Sequence, residues 1–151
     1  MRHLCDSTVF VALTVDAHPA HQVARDWLQR LLEGDTVGFC RMSEMSFLRL
    51  LTQKIAVGYA PITNGEAIEK LDQWKRLAFV DVFAEPENLE SEWLRLDTVG
   101  KAAPKRWMDA YLAAFALRSR MRLVTLDDDF EKYRKDGLDL LLLRATNEPV
   151  A

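Results

Sequence analysis

Strand-like apolar runs alternate with longer helical patterns along this chain, and this alternation constrains its fold more than any other feature. Chains of this kind form a parallel sheet with helices on both faces. The last apolar run is nearly continuous, as expected for a strand that is covered on both faces. The predicted strands are His3–Cys5, Val37–Cys40, Phe79–Phe83, Leu123–Leu126 and Leu138–Leu143, and the predicted helices are His18–Leu32, Ser43–Ile55, Asn64–Leu77, Glu87–Val99 and Lys105–Arg120.

The chain length and composition are those of an ordinary globular protein. Its 151 residues, 49% hydrophobic and 28% charged, contain no internal repeat or linker, so we expect one domain over residues 1–151. No apolar run reaches the roughly 20 residues of a membrane span. Asp6 stands where a signal peptide would begin its apolar region, which predicts a cytoplasmic protein. Cys5 and Cys40, the only cysteines, and the three histidines show no zinc spacing.

Four acidic residues are predicted to meet at one edge of the sheet. Asp6 follows the first strand, and Glu44 opens the helix after the second. Asp109 lies early in the last long helix, and Asp127 ends the fourth strand. Ligands of parallel sheets bind beyond the carboxyl ends of the strands, where these four side chains would project.

Helical periodicity predicts that Glu44 and Asp109 face the protein interior. Residues three, four and seven positions further on share a face with each acid. These residues are Phe47, Leu48 and Leu51 for Glu44, and Leu112, Ala113 and Ala116 for Asp109. An ionised carboxylate that faces inward is costly unless it is paired or binds a metal.

Each acid taken alone also has an ordinary structural explanation. Glu44 follows Ser43, a possible N-cap, and would favour the positive end of its helix. Asp109 could pair with Lys105 or Arg106. Taken together, these explanations leave four converging acids with no basic residue fixed among them. Ligation by carboxylate oxygens alone selects a hard cation, Mg²⁺ or Mn²⁺, which can stabilise charge on a phosphoryl oxygen.

Three consecutive aspartates follow the fourth predicted strand. Asp127 is the acid of the site, and the Thr125 hydroxyl lies two residues earlier on the same side, where it would suit the water shell of a metal. Asp128 is the favoured cap of the following short helix. Asp129 either contacts a second metal ion or is solvated.

Three stretches of the chain resemble a PIN domain and, more narrowly, a VapC-type toxin ribonuclease of a type II toxin–antitoxin system. They are LCDSTVFVAL, MSEMSFLRLL and WMDAYLAAFALRSRMRLVTLDDDF. The resemblance covers essentially the whole chain and implies a three-layer α/β/α sandwich around a central, mostly parallel sheet. It also implies that Asp6, Glu44, Asp109 and Asp127, accompanied by Thr125, form a Mg²⁺ or Mn²⁺ site for phosphodiester cleavage. Relatives often place a basic or small residue after the acid that matches Asp127, and this chain departs from that pattern.

The charge distribution permits an RNA substrate although the formal net charge is −3. Residues 101–135 contain nine Lys or Arg and five Asp or Glu, a local net charge of +4. Four tryptophans, Trp27, Trp74, Trp93 and Trp107, offer rings on which bases could stack, although Trp27 and Trp74 lie in amphipathic patterns typical of a core. The candidate phosphate contacts are Arg118, Arg120, Arg122, Lys132, Arg134 and Lys135.

The resemblance also implies protein partners, namely a cognate VapB-like antitoxin and a second copy in a homodimer. We expect the antitoxin to place an apolar helix in a groove between the helices Ser43–Ile55 and Asn64–Leu77, and an Arg or Lys against the acids. The apolar residues assigned to this groove are Phe47, Leu48, Leu51, Leu71 and Trp74.

The sequence therefore predicts a Mg²⁺- or Mn²⁺-dependent endoribonuclease, the toxin of a toxin–antitoxin pair. One alternative is a receiver-like regulatory module, which also clusters acids with a Thr on a parallel sheet. Receiver modules need a Lys near the end of the final strand, where this chain offers only Arg144. Another alternative is a catalytically inactive PIN-fold module that binds RNA or protein.

Overall fold

A computed structural model of the protein describes residues 1–54 and 59–144, in which strands and helices alternate as the apolar pattern predicts. The strands are Arg2–Cys5 (β1), Thr36–Phe39 (β2), Val80–Val82 (β3), Arg122–Thr125 (β4) and Leu140–Leu142 (β5). The helices are Ser7–Thr14 (α1), His21–Gln29 (α2), Arg41–Thr52 (α3), Asn64–Lys75 (α4), Leu89–Leu96 (α5) and Arg106–Ser119 (α6), and a 3₁₀ segment spans Asp128–Asp136.

The five strands form one sheet in the order β3-β2-β1-β4-β5, and every pairing in it is parallel. The strand β1 lies at the centre, with Leu4 opposite Gly38 of β2 and opposite Leu123 of β4. The chain builds the sheet outward from β1 in both directions, so the topological switch point lies between β1 and β4. Ligands of open α/β sheets bind at this point, beyond the carboxyl ends of the strands.

The sheet separates two apolar cores, because successive side chains of a strand point to opposite faces. Leu4 and Leu123 pack with α5, α6 and the 3₁₀ segment on one face. Cys5 and Val124 pack with α1, α2, α3 and α4 on the other. These three layers confirm the predicted α/β/α sandwich.

Every predicted strand and helix is present, with its ends displaced by up to three residues; Ile55, the predicted end of α3, lies outside the described residues. The helix that the sequence analysis missed is α1. Its β-branched residues Thr8, Val9 and Val11 lower its helix propensity. The four residues 9–12 are all buried, so this helix is apolar on every side and lacks the one-sided pattern by which helices are predicted.

The presence of α1 covers most of the apolar residues that were assigned to an antitoxin groove between α3 and α4. Phe47, Leu51 and Leu71 are buried in the core that includes residues of α1. The Trp74 indole is half-buried, and its Nε1 donates a hydrogen bond to the Thr14 hydroxyl of α1 at 2.8 Å. The apolar residues assigned to a partner therefore pack mainly within the protein itself.

Within residues 1–54 and 59–144, no helix combines the length and the apolar character that crossing a bilayer requires. Cys5 and Cys40 are both buried, and neither forms a disulfide bond.

Candidate active site

A cavity of about 330 Å³ opens at the carboxyl edge of the sheet, beside the switch point. Three of the four predicted acids line it, and they reach it from the end of β1, the first turn of α6 and the end of β4. The lining residues are Asp6, Ser7, Thr8, Met42, Ser43, Ser46, Arg49, Leu50, Lys105, Met108, Asp109, Leu112 and Asp127.

Asp6 is fixed by hydroxyl groups on three sides. Its Oδ2 accepts hydrogen bonds from Thr125 Oγ1 at 2.9 Å and from Thr8 Oγ1 at 3.0 Å, and its Oδ1 accepts one from Ser7 Oγ at 3.3 Å. Burial raises the pKa of Asp6 above its usual value. The hydrogen bonds favour the ionised form and offset part of this rise. The carboxylate is therefore buried and held in one orientation before any ligand binds.

Thr125 connects Asp6 with Asp127 across the switch point. The Thr125 hydroxyl is fully buried, donates to Asp6 and accepts a hydrogen bond from the Asp127 backbone N–H at 3.0 Å. The Thr125 hydroxyl hydrogen is therefore already used in the hydrogen bond to Asp6. Thr125 orients the two acids, which differs from the water-shell role that the sequence analysis assigned to it.

Asp127 is the N-cap of the 3₁₀ segment that follows β4. Its Oδ1 accepts a hydrogen bond from the Asp129 backbone N–H at 2.9 Å, so the cap is Asp127 and the prediction of Asp128 as the cap was wrong. Asp128 and Asp129 are exposed in the first turn, where the positive end of the segment favours acids. This arrangement accounts for three consecutive carboxylates at the end of a strand.

Asp109 is half-buried and its pKa is raised to about 6. Burial is the largest cause, and the neighbouring carboxylates of Asp127, Asp6 and Asp129 raise the pKa further by like-charge repulsion, while Lys132 lowers it. The acids therefore act on one another, as expected of groups that share a site.

The structure does not bring Glu44 to this cavity. Glu44 is buried on the face of α3 that packs against the core, as predicted, but its partners are two basic side chains. Arg41 Nη1 donates to Glu44 Oε2 at 2.6 Å, and Lys75 Nζ of α4 donates to Glu44 Oε1 at 2.9 Å. The inward-facing charge is compensated by two ion pairs, and Glu44 is not among the acids that line the cavity.

Several polar or basic lining residues were missed by the sequence analysis, among them Ser46, Arg49 and Lys105. Ser46 and Arg49 lie on α3 and line the cavity from the face next to that of Glu44, and Lys105 directly precedes α6. The signal was available, since residues 43, 46, 49 and 50 share one helical face. Lys105 stands four residues before Asp109 and was considered only as a pairing partner.

Three of the predicted RNA contacts lie at the opposite edge of the sheet. Arg118 and Arg120 are at the end of α6, and Arg122 begins β4. Nine residues of helix, about 14 Å, separate Asp109 from Arg118. Arg118 Nε donates to the Glu87 carbonyl at 3.4 Å, and Arg122 Nε donates to Asp139 Oδ1 at 3.0 Å. These three arginines therefore do not reach the acid cavity.

Of the remaining predicted contacts, Lys132 lies near the acids. Its charge lowers the pKa of Asp109, and its Nζ lies 5.2 Å from the centroid of the Tyr133 ring. Arg134 donates from Nη1 to the Leu140 carbonyl at 3.0 Å and also pairs with Glu131. Lys132 is thus close to the site, whereas Arg134 ties the 3₁₀ segment to β5.

The donor set of the cavity fits a hard divalent cation. Carboxylate oxygens of Asp6, Asp109 and Asp127 line it together with hydroxyls, and no thiol or imidazole is among its lining residues. Among the described residues, Asp127, Asp128 and Asp129 form an acidic cluster whose oxygens come within 4.8 Å of one another. Crowded carboxylates of this kind are stabilised by a cation, which removes their mutual repulsion.

Comparison with known proteins identifies the family of this chain. A family model described as PIN domain matches residues 4–136. Ribonuclease VapC41 of Mycobacterium tuberculosis is 40% identical over 150 residues, which cover 93% of this chain and 97% of the relative.

Solved structures resemble the fold at low sequence identity. VapBC2 from Rickettsia felis, bound to a DNA fragment from its promoter, matches with a TM-score of 0.69 and 15% identity over 95% of this chain and 100% of that one. VapBC-1 from nontypeable Haemophilus influenzae matches with a TM-score of 0.68 and 14% identity over 94% of this chain and 98% of that one. At these identities the likeness shows the fold alone. The family-model match and the identity to VapC41 show that this chain belongs to the PIN domain family and, within it, to the VapC ribonucleases.

Proposed function

We propose that this protein is a Mg²⁺- or Mn²⁺-dependent endoribonuclease that acts as the toxin of a toxin–antitoxin pair. The observation that carries the proposal is the convergence of Asp6, Asp109 and Asp127 on one cavity at the switch point of the sheet. Membership in the VapC ribonucleases supports RNA as the substrate.

The three aspartates would hold the cation, which supplies charge stabilisation at the phosphoryl group and makes water a better nucleophile. Asp6 contributes a carboxylate whose orientation is already fixed by Thr125, Thr8 and Ser7, so little ordering remains to be done on binding. Asp109, with its pKa near 6, releases its proton below neutral pH and is ionised at the pH of the cell.

Basic residues at the rim would position the RNA backbone. Arg49 and Lys105 line the acid cavity from two sides, and Lys132 lies close to Asp109. Cationic side chains fix the register of a nucleic acid by contacts to phosphate oxygens, and these contacts carry no base specificity. We assign phosphate binding to these three residues in place of Arg118, Arg120 and Arg122.

A VapB-like antitoxin and a second copy of this chain are the proposed protein partners. The structures of similar fold from Rickettsia felis and Haemophilus influenzae are VapBC structures. An antitoxin that inhibits by occupying the acid cavity would present a cation to the carboxylates of Asp6, Asp109 and Asp127. As a ribonuclease of this type, the protein would act in the cytoplasm.

The proposal is tested by incubating a randomised single-stranded RNA pool with wild type and Asp6→Asn protein, in Mg²⁺, in Mn²⁺ and in EDTA. We expect cleavage by wild type in either cation, no cleavage in EDTA, and a loss of at least 100-fold in Asp6→Asn. Cleavage that continues in EDTA, or at the wild-type rate in Asp6→Asn, would contradict the proposal. RNA binding without cleavage by wild type would identify an inactive PIN-fold binding module instead.

A further inference from the structure

An exposed tryptophan stands at the start of α6, beside the acid cavity. The side chain of Trp107 is 51% exposed, although large aromatic residues are usually well buried. Met108, the next residue, is 47% exposed and lines the acid cavity. Two exposed apolar side chains therefore form one rim next to the proposed site of cleavage.

Trp107 lines a second cavity, of about 380 Å³, on the other side of this rim. Pro104 and Trp107 face the second cavity, whereas Lys105, Met108 and Asp109 face the acids. The two cavities thus share the first turn of α6 as a common wall. A helix with its side chains is about 10–12 Å across, a span that a short stretch of one RNA strand can bridge.

The Trp107 ring is supported from behind and presented to solvent. Trp93 packs edge-on against it with ring centroids 6.4 Å apart. The Trp93 Nε1 donates a hydrogen bond to the Trp107 backbone carbonyl at 2.8 Å. A ring held in this way loses little conformational freedom when a ligand stacks on it.

The charges around the second cavity favour a polyanion. Lys101 lies in its wall, and Lys105 lies on the adjoining side of the shared wall. The acid in the wall is Asp97, whose carboxylate oxygens are buried and whose Oδ1 lies 3.5 Å from Arg106 Nε. Asp97 is therefore compensated internally and does not present a free negative charge to a phosphate.

From these observations we propose that the second cavity is a base-binding subsite in which a nucleobase adjacent to the cleaved phosphate stacks on Trp107, with Lys101 at the flanking phosphate. The proposal rests on the ribonuclease function proposed above. Stacking on an aromatic ring tolerates every base, because every base has a π-face. It requires an unstacked base, so the subsite selects single-stranded RNA or loops.

The test uses a single-stranded 12-mer whose sequence is taken from the cleavage sites of wild type in a randomised RNA pool. Matched 12-mers carry an abasic ribose at each position flanking the cut. The variants are Trp107→Phe, which keeps an aromatic face, and Trp107→Leu, which keeps an apolar side chain without one. The control is Leu94→Ala, an exposed apolar residue of α5 that lines neither cavity.

We expect Trp107→Leu to raise the KM for the intact 12-mer by roughly 10- to 100-fold, and Trp107→Phe and Leu94→Ala to change it less than threefold. One abasic position should raise the KM of wild type by a similar factor and leave that of Trp107→Leu unchanged. Binding of the fluorescein-labelled 12-mer in EDTA should show the same pattern without any cleavage.

Equal KM values for wild type and Trp107→Leu would overturn the subsite while the ribonuclease function stands. A change in oligomeric mass of Trp107→Leu by light scattering, with unchanged KM, would overturn it in favour of a contact between copies of the chain. If wild type cleaves no RNA in the pool, the proposed function fails and the subsite with it. Circular dichroism of each variant establishes that it is folded before these comparisons are made.

Discussion

Thr125 Oγ1 donates a hydrogen bond to Asp6 Oδ2 at 2.9 Å, which joins two residues 119 positions apart in the chain. The bond crosses from β4 to the end of β1 at the switch point of the sheet. The same hydroxyl accepts from the backbone N–H of Asp127, so one buried side chain sets the positions of two candidate ligands.

Thr125→Val should therefore destabilise the protein and impair cleavage. It removes a hydrogen bond from a buried carboxylate and leaves the Asp127 N–H without its acceptor, which costs about 1–3 kcal/mol of unfolding free energy. Urea denaturation measures the loss, and Thr125→Ser should restore most of it. The matched control is Thr36→Val, because the Thr36 hydroxyl is buried without a hydrogen-bond partner among the described residues. We expect Thr36→Val to be neutral or stabilising, and equal losses in the two Val variants would contradict this account.

Asp109→Asn should stabilise the metal-free protein above pH 6 more than at pH 4. The pKa of Asp109 is about 6 in the folded protein and 3.8 in the reference state, so folding disfavours its ionised form. The resulting penalty is absent below pH 3.8, grows between pH 3.8 and 6, and is constant above pH 6. After allowance for solvent screening of this half-exposed group, Asp109→Asn should raise the free energy of unfolding above pH 6 by about 1 kcal/mol. Thermal melts of both proteins in EDTA from pH 4 to 8 measure it, and a difference that does not vary with pH would refute the assignment.

Glu44→Gln should lower stability and leave cleavage by the folded protein intact. Glu44 is buried between Arg41 and Lys75, and its replacement by a neutral amide leaves Lys75 without its partner, at a cost of about 2 kcal/mol. Denaturation and the cleavage rate per folded molecule measure the two effects separately. A large loss of kcat at unchanged stability would return Glu44 to the active site.

Gly38→Ala should be strongly destabilising because β2 and β3 approach closely there. A Cβ at residue 38 would lie 2.1 Å from the Asp81 carbonyl oxygen and 2.9 Å from Phe83 Cε2. The first contact is with backbone and cannot be relieved by rotation of a side chain, so we expect a loss of about 3 kcal/mol or more. Gly65→Ala is a suitable comparison, because a Cβ there meets only the Thr63 hydroxyl at 3.9 Å. Similar midpoints of urea unfolding for the two variants would contradict this explanation.

The sequence predicted the sheet and its acidic edge because both follow from local patterns. The order of strands and helices can be read from the positions of apolar residues, and Asp6 and Asp127 lie beside the carboxyl ends of strands. The helix α1 was missed because it is buried on every side and carries no polar face.

The differences between the predicted and the observed surroundings of the site residues arise from contacts that are distant in the sequence. The inward orientation of Glu44 was predicted, but its partner Lys75 lies 31 residues away on another helix. Arg118, Arg120 and Arg122 were predicted as RNA contacts from their charge alone. They lie at the end of α6 and the start of β4, which are both at the edge of the sheet opposite the acids. Local charge thus indicates the kind of ligand, whereas the position of each charged side chain depends on the tertiary structure.

We expect Asp6, Asp109 and Asp127 to hold a divalent cation without Glu44. The decisive measurement is the melting temperature during a Mn²⁺ titration of wild type, Asp6→Asn and Glu44→Gln. At Mn²⁺ concentrations 100 times the Kd, a site present only in the folded state adds about 2.7 kcal/mol, or roughly 5–10 °C for a chain of this length. The account predicts this rise for wild type and Glu44→Gln and its loss in Asp6→Asn. An equal rise in Asp6→Asn and wild type, or its loss in Glu44→Gln alone, would contradict the account.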